Sequence, residues 1–214
     1  MTAQDPVVAV TALLLRERQS RDRGRWAEMA DCYSPDSTIA MSWFAGPAAD
    51  FIRRSGSMDV GGSRGVHRLS PPAVRVHGDR AWAELPLVIE FRTDVAGVEA
   101  DLCSFARSQY RAVRDDGVWR ISALTSVYER DTLTPAVPGT TLPVPADAFA
   151  GLRPSYRCLA WHLGRNGYPI ADDLLGDDRP DGVRAQLAAD LAWLQQDPTS
   201  PATGPRDIDR EERP

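Results

Sequence analysis

Between Val66 and Tyr128 four strand-forming segments follow one another, joined by turns too short for anything but antiparallel pairing. Val66 to Val76 leads through Gly78-Asp79 into Ala81 to Thr93, and Val98 to Arg114 leads through Asp115-Asp116-Gly117 into Val118 to Tyr128. The Asp-Gly pair is the sharpest of these signals, because Gly supplies the positive φ that a tight hairpin turn needs. Val98 to Arg114 is long for one strand, so a bend or bulge is expected along it. Ahead of the sheet the order reads helix, helix, strand, helix. A long antiparallel sheet that has to cover a few helices curls over them and leaves one end open. The expected fold is therefore α+β, a curved antiparallel sheet forming a cone-shaped α+β barrel.

The upstream elements follow from local signals. Asp5-Pro6 is a helix start, an N-cap acceptor followed by a residue with fixed φ and no amide to satisfy. Val7, Val10, Leu14 and Arg18 fall at helical spacing, so this helix has an apolar face that turns polar toward its end. The charged run Arg16 to Arg25 reads mostly as a solvated helix end with a turn at Gly24. A second helix carries Trp26, Met29, Ala30 and Tyr33, and Ser34-Pro35 is expected to stop it. Ser37 to Phe44 alternates as a strand, and Gly46-Pro47 breaks it before a short helix through Phe51 and Ile52. Ser55 to Gly65 is rich in Gly and Ser and reads as a loop, a flap at the mouth of the cone.

Beyond the sheet the texture changes. The expected division is a barrel over 1–130, a Pro-rich linker over 131–155, a helical C-terminal extension over 156–194 and a disordered tail over 195–214. Tyr156, Leu159, Ala160 and Leu163 mark the first helix of the extension. Val183, Leu187, Leu191 and Leu194 mark the second.

Composition removes several functions. All 25 basic residues are arginine. Without lysine, Schiff-base chemistry, a pyridoxal-phosphate site and a lysine-bearing P-loop lose the amine they need. Three histidines, His67, His77 and His162, are too few for a multi-histidine metal site, so no metal and no cofactor is expected. Cys32, Cys103 and Cys158 are scattered and read as buried, reduced thiols. A net charge of −5 argues against a basic nucleic-acid surface. No segment is apolar for long enough to span a bilayer, and the N-terminus lacks the features of a signal peptide, so no membrane partner and a cytoplasmic setting are expected. Arginine without lysine, with much Ala, Pro and Gly, reads as a high-GC bacterial coding habit.

Asp22, at the end of the first helix, and His67, at the start of the strand after the flap, are the candidates for chemistry. A carboxylate and an imidazole inside a cone are the minimum equipment for moving a proton. A structural origin competes for each: an Asp in a charged turn usually faces solvent, and His67 also suits an ordinary strand position. His77 reads as a surface residue and His162 as a structural one. On the long strand one face carries Asp101, Cys103, Phe105, Arg107, Gln109 and Arg111, and the other Leu102, Ser104, Ala106, Ser108 and Tyr110. Neither is purely apolar, which implies a polar pocket or a second subunit on one face. Arg107 or Arg111 projecting inward would bind a substrate oxyanion or carboxylate, while a salt bridge at a dimer sheet is the alternative. Tyr33, Trp43, Phe44 and Tyr128 are candidate pocket walls.

Three stretches, "RDRGRWAEMADCYSPDSTI", "GVHRLSPPAVRVHGDRAWAEL" and "QYRAVRDDGVWRISAL", resemble the nuclear transport factor 2-like superfamily over residues 6 to 130, and within it the SnoaL-like proteins. In the scytalone dehydratase and dehydrochlorinase branch a carboxylate and a histidine stand where Asp22 and His67 stand here. The resemblance implies a cofactor-independent lyase, isomerase or cyclase acting on a small cyclic or polyketide-like molecule. His67 would take the proton and Asp22 would hold the imidazole tautomer. The alternative is a noncatalytic ligand-binding or assembly subunit of the same fold. A homodimer through the outer face of the sheet is expected, with a small molecule as the other partner.

Overall fold

The computed structural model describes residues 5–58 and 64–196. Helix α1 spans Pro6–Asp22, and the Asp5 side chain accepts from the Val7 amide at 2.8 Å. Its buried face contains Val10, Leu13 and Leu14, and continues without a break into Glu17, Arg18 and Ser20. The run read as a solvated helix end is thus in good part interior. Helix α2 is only Trp26–Ala30, and Tyr33 already opens strand β1, Tyr33–Met41. Ser34-Pro35 therefore lies inside a strand rather than ending a helix. It falls in the stretch where the pairing of β1 shifts register between Tyr33 and Thr38, so the missing proline amide interrupts no regular ladder. Strand β2, Phe44–Pro47, pairs back on β1, with Ile39 opposite Gly46. Gly46-Pro47 is accordingly part of a hairpin, and α3, Ala48–Ser57, begins directly after it. The expected flap shrinks because α3 takes up Ser55 to Ser57, and residues 59–63 lie outside the described residues.

The segment Val66 to Val76 is two strands, β3 (Val66–Leu69) and β4 (Ala73–His77), split at Ser70-Pro71-Pro72 where two amides are missing. Both pair with β5, Arg80–Val95, which pairs in turn with β6, Val98–Asp115. β7 spans Val118–Pro135. The β6–β7 turn has positive φ at Asp116 (48°) and Gly117 (77°), the arrangement that the sequence of this turn favours. The order across the sheet is β2-β1-β7-β6-β5-β3 with β4 also on β5. All pairings are antiparallel except β1 with β7. The sheet stays unclosed, a curved cone wrapped around α1 to α3. The bend expected along β6 comes from register shifts against β7 at Phe105/Ala106 and Arg111/Ala112, which leave Glu129 and Ser122 of β7 without a pairing partner.

β7 runs to Pro135, five residues past the expected barrel end at Arg130. After a 3-10 turn at Ala146–Phe149 come α4, Arg157–Arg165, and α5, Pro180–Gln195. α4 closes the concave side: Leu159 and Leu163 join Leu87, Phe91, Leu102 and Ala106 in one buried cluster. α5 lies on the convex side, where Asp190 accepts from Trp82 Nε1 at 3.2 Å and Arg111 Nε at 2.7 Å. The mixed outer face of β6, which motivated the homodimer expectation, is thus partly covered and paired within one chain. The tail expected from Gln195 lies outside the described residues beyond Gln196. Among the described residues no helix is long and apolar enough to cross a membrane.

Candidate functional site

The concave face of the sheet is set by strand alternation. Leu87, Ile89 and Phe91 on β5, Ala106 and Ser108 on β6, and Ser126 and Tyr128 on β7 point into a cavity. Trp26, Met41 and Trp43 complete one wall, and Leu159 and Leu163 of α4 complete another. A water-sized molecule has about 50 Å³ to move in, and the space widens to about 780 Å³ only when the open mouth and its solvent are included. Gly65 is required where the chain enters β3, because a Cβ there would sit 2.7 Å from the Phe91 ring.

Asp22 is the last residue of α1, and β3 begins against it. Its Oδ2 accepts from the His67 backbone amide at 2.7 Å, and its Oδ1 lies 2.6 Å from His67 Nδ1. One carboxylate therefore fixes both the backbone and the ring of His67, whose side chain is 5% exposed and lines the cavity. A carboxylate on Nδ1 holds the neutral ring with its proton there and leaves Nε2 as the acceptor. Burial pushes the His67 pKa down to about 4; the Asp22 hydrogen bond opposes this, and the charges of Arg21 and Arg18 add to it. For Asp22, burial raises the pKa, but the hydrogen bonds with His67 and the charge of Arg21 outweigh it and hold the carboxyl below its usual value. The pair at neutral pH is a carboxylate and a neutral imidazole.

Behind it lies a polar cluster that the sequence reading missed. Glu17, fully buried, pairs with both Nε and Nη2 of Arg18 and accepts from the Tyr33 hydroxyl at 2.7 Å. The only sequence signal was the continuation of the Val10, Leu14 spacing to Arg18 and Asp22. Charge there suggested solvent, whereas the helix was still inside the cone.

The remaining candidates divide. Trp43 and Tyr128 line the cavity, and the Tyr128 hydroxyl accepts from the Ser42 amide at 2.8 Å. Tyr33 is not among the lining residues, because its hydroxyl is turned onto Glu17. Phe44 is not among them either: it packs in the core against Phe51, with ring centroids 5.5 Å apart. Arg107 lies on the convex face, paired with Glu129 and, at 2.7 Å, with Asp177, so the salt-bridge alternative is the one realised, within the chain. Its odd-numbered position on β6 puts it opposite Ala106 and Ser108. His77 is exposed, with Nδ1 3.1 Å from the Leu194 carbonyl, whereas His162 is buried beside Phe91. Cys32 and Cys158 are buried and Cys103 only half-buried; all three are free. No group of three or more His, Cys, Asp or Glu side chains suited to a metal is assembled among the described residues.

The fold and the cavity together define a class: cone-shaped α+β barrels that enclose a small-molecule space between a curved sheet and their first helices. The SnoaL-like domain matches residues 6–125, more than half the chain, and the protein belongs to that family. It is 26% identical to a PEP2-like protein of Fusarium vanettenii, over 82% of this chain and 77% of that protein. It is 25% identical to an uncharacterized protein of Emericella nidulans, over 81% of this chain and 76% of the other. Both spans exceed the SnoaL-like segment, so the likeness to these fungal proteins continues into the C-terminal extension. Among solved structures, the hexachlorocyclohexane dehydrochlorinase LinA type 2 shares the fold with a TM-score of 0.51 at 13% identity, covering 65% of this chain and 93% of that one.

Proposed function

We propose that this protein is a cofactor-independent lyase, isomerase or cyclase that moves a proton on a small cyclic or polyketide-like molecule held in the cone. His67 is the base, acting through Nε2 on a carbon acid beside a carbonyl or leaving group. Asp22 keeps the tautomer and stabilises the imidazolium as it forms. The observation that carries this reading is the double hold of Asp22 on His67, on the backbone amide and on Nδ1, at the wall of the cavity. Such a hold is expensive to build for a histidine that only packs, since it buries a carboxylate for the sake of one ring orientation.

The noncatalytic alternative, a ligand-binding or assembly subunit, draws support from the burial of His67 and from the nearby charges of Arg21 and Arg18, which disfavour the imidazolium. A histidine held near 4 is a weak base at neutral pH. The experiment that separates the two is deuterium uptake from heavy water into a panel of cyclic β-hydroxyketones and naphthalenones, followed by mass spectrometry. Catalysed uptake beside the carbonyl is expected for the wild type and should fall about 10²–10⁴-fold in His67→Gln, the usual contribution of a general base. Ligand binding without exchange across the panel would establish the binding protein.

A further inference from the structure

The cavity has an electrical character that proton transfer alone does not explain. Among the described residues, every charged side chain lining it is an arginine: Arg18, Arg21 and Arg64. Arg18 is neutralised from behind by Glu17. Arg21 is different. Its nearest carboxylate among the described residues is Asp22, with Nη1 at 3.9 Å from Oδ1, and both Asp22 oxygens are already engaged by His67. Asp22 balances the charge of Arg21 in sum but does not satisfy its hydrogen bonds. Arg21 Nε is buried and has no partner among the described residues, and the guanidinium otherwise rests over the Phe51 ring at 5.9 Å. One helix over, Ser55 Oγ lines the same cavity, equally buried and likewise without a partner among the described residues. Phe51 and Ser55 are one helical turn apart on α3, so Arg21 and Ser55 present two idle donors on one side of the site. Buried donors left idle cost free energy, and a guanidinium costs most, unless an acceptor arrives to meet them.

We propose that the ligand of this cavity is an apolar, ring-sized molecule carrying a carboxylate, and that Arg21, with Ser55 beside it, seats that carboxylate. This rests on the proton-transfer reading only in taking the cavity as the place where the substrate binds. The planar fork of Arg21 suits two carboxylate oxygens. The apolar side of the cavity, with Leu87, Ile89, Leu159 and Leu163, suits the ring. Arg21 adjoins Asp22, so the carboxylate so bound lies on the His67–Asp22 side of the cavity. The burial and the repulsion from Arg18 that lower the Arg21 pKa to about 10 are consistent with a cation awaiting a counter-ion.

The test compares 2-naphthoate with its methyl ester by titration calorimetry on the full chain. A charge-assisted Arg–carboxylate contact contributes roughly 1.5–3 kcal/mol, so the acid should bind about 10- to 100-fold more tightly than the ester. In Arg21→Met, a swap that keeps length and removes charge, that preference should vanish while ester binding survives. The melting temperature of this variant should stay near that of the wild type, because the buried Nε donor without a partner goes together with the long ion pair to Asp22. His67→Gln should keep the preference for the acid even if it abolishes deuterium exchange. Loss of exchange chemistry in every assay with the acid preference intact would defeat the catalytic reading and leave this one standing. Equal affinity for acid and ester, a preference that persists in Arg21→Met, or failure of both probes to bind at millimolar concentration would each overturn it.

Discussion

Glu17 shows how much one residue of this chain depends on its neighbours. It is an acid on the buried face of α1, acceptable there only because Arg18 and the Tyr33 hydroxyl occupy its oxygens. Removing its charge alone leaves Arg18 buried and unpaired. Glu17→Gln should therefore cost about 3–5 kcal/mol in urea unfolding, the usual penalty for breaking a buried pair. Replacing both members, Glu17→Met with Arg18→Met, should cost far less, since no charge is then stranded. Equal losses in the two variants would mean that packing, and not charge compensation, is what the pair supplies. Arg18 and Arg21 also act on His67 at this scale, by disfavouring its protonated form.

Among the elements, α4 joins the extension to the cavity most directly. Its amide at Leu159 donates to Asp131 Oδ2 at 2.8 Å, so β7 itself caps the helix, and its Leu159 and Leu163 side chains are buried to about 1% exposure. The segment before α5 is tied to β7 as well, with the Tyr128 amide donating to the Leu175 carbonyl at 3.0 Å and the Asp177 amide to the Tyr128 carbonyl at 2.9 Å. We predict that ending the chain after Val137 lowers the melting temperature sharply. Two buried leucines alone represent roughly 1.5–3 kcal/mol each, and Leu87, Phe91 and Leu102 would be uncovered with them. Calorimetry giving an unchanged melting temperature would show α4 and α5 to be an independent appendage. This dependence was only half legible in the sequence. The leucine spacing announced the helices, but nothing in it said which face of the sheet each would cover.

For the whole molecule, two buried histidines contribute to the response to mild acid. His67 and His162 both have pKa values lowered to about 4 by burial, helped in His162 by Arg165 and in His67 by Arg21 and Arg18, and opposed in His67 by Asp22. His162 Nε2 is buried without a partner among the described residues, so protonation there finds no acceptor among them. Unfolded, both rings titrate near the ordinary value of about 6.5. Between about 6.5 and about 4 the unfolded chain binds protons that the native chain refuses, so stability falls as the pH falls through this window and levels off below it. Above about 6.5 neither state is protonated and the effect is absent. Urea midpoints measured from neutral pH down to about 4 should decline in the wild type, and less steeply in His162→Phe. A flat profile across this range would show that the two rings are not held neutral by the fold.

What the sequence determined by itself was whatever depends on neighbours a few residues away. The Asp116-Gly117 turn, the Asp5-Pro6 helix start and the period-two alternation of β5 to β7 are local, and they suffice for a curved sheet over helices. Alternation also separated the two faces of β6 correctly. It did not say which face was concave, and so Arg107 was a pocket candidate until the curvature put it outside. Tyr33, Phe44 and Arg21 changed roles for a related reason. A side chain's partner here stands 16 residues away for Tyr33 and Glu17, 45 for His67 and Asp22, and 79 for Arg111 and Asp190. Such pairings are fixed by how the sheet curls and where the extension docks, and their energies exist only once those surfaces have left water. The same burial that turns a charged helix end into the back wall of a cavity gives Arg21 its idle donors, and only the tertiary structure creates that burial.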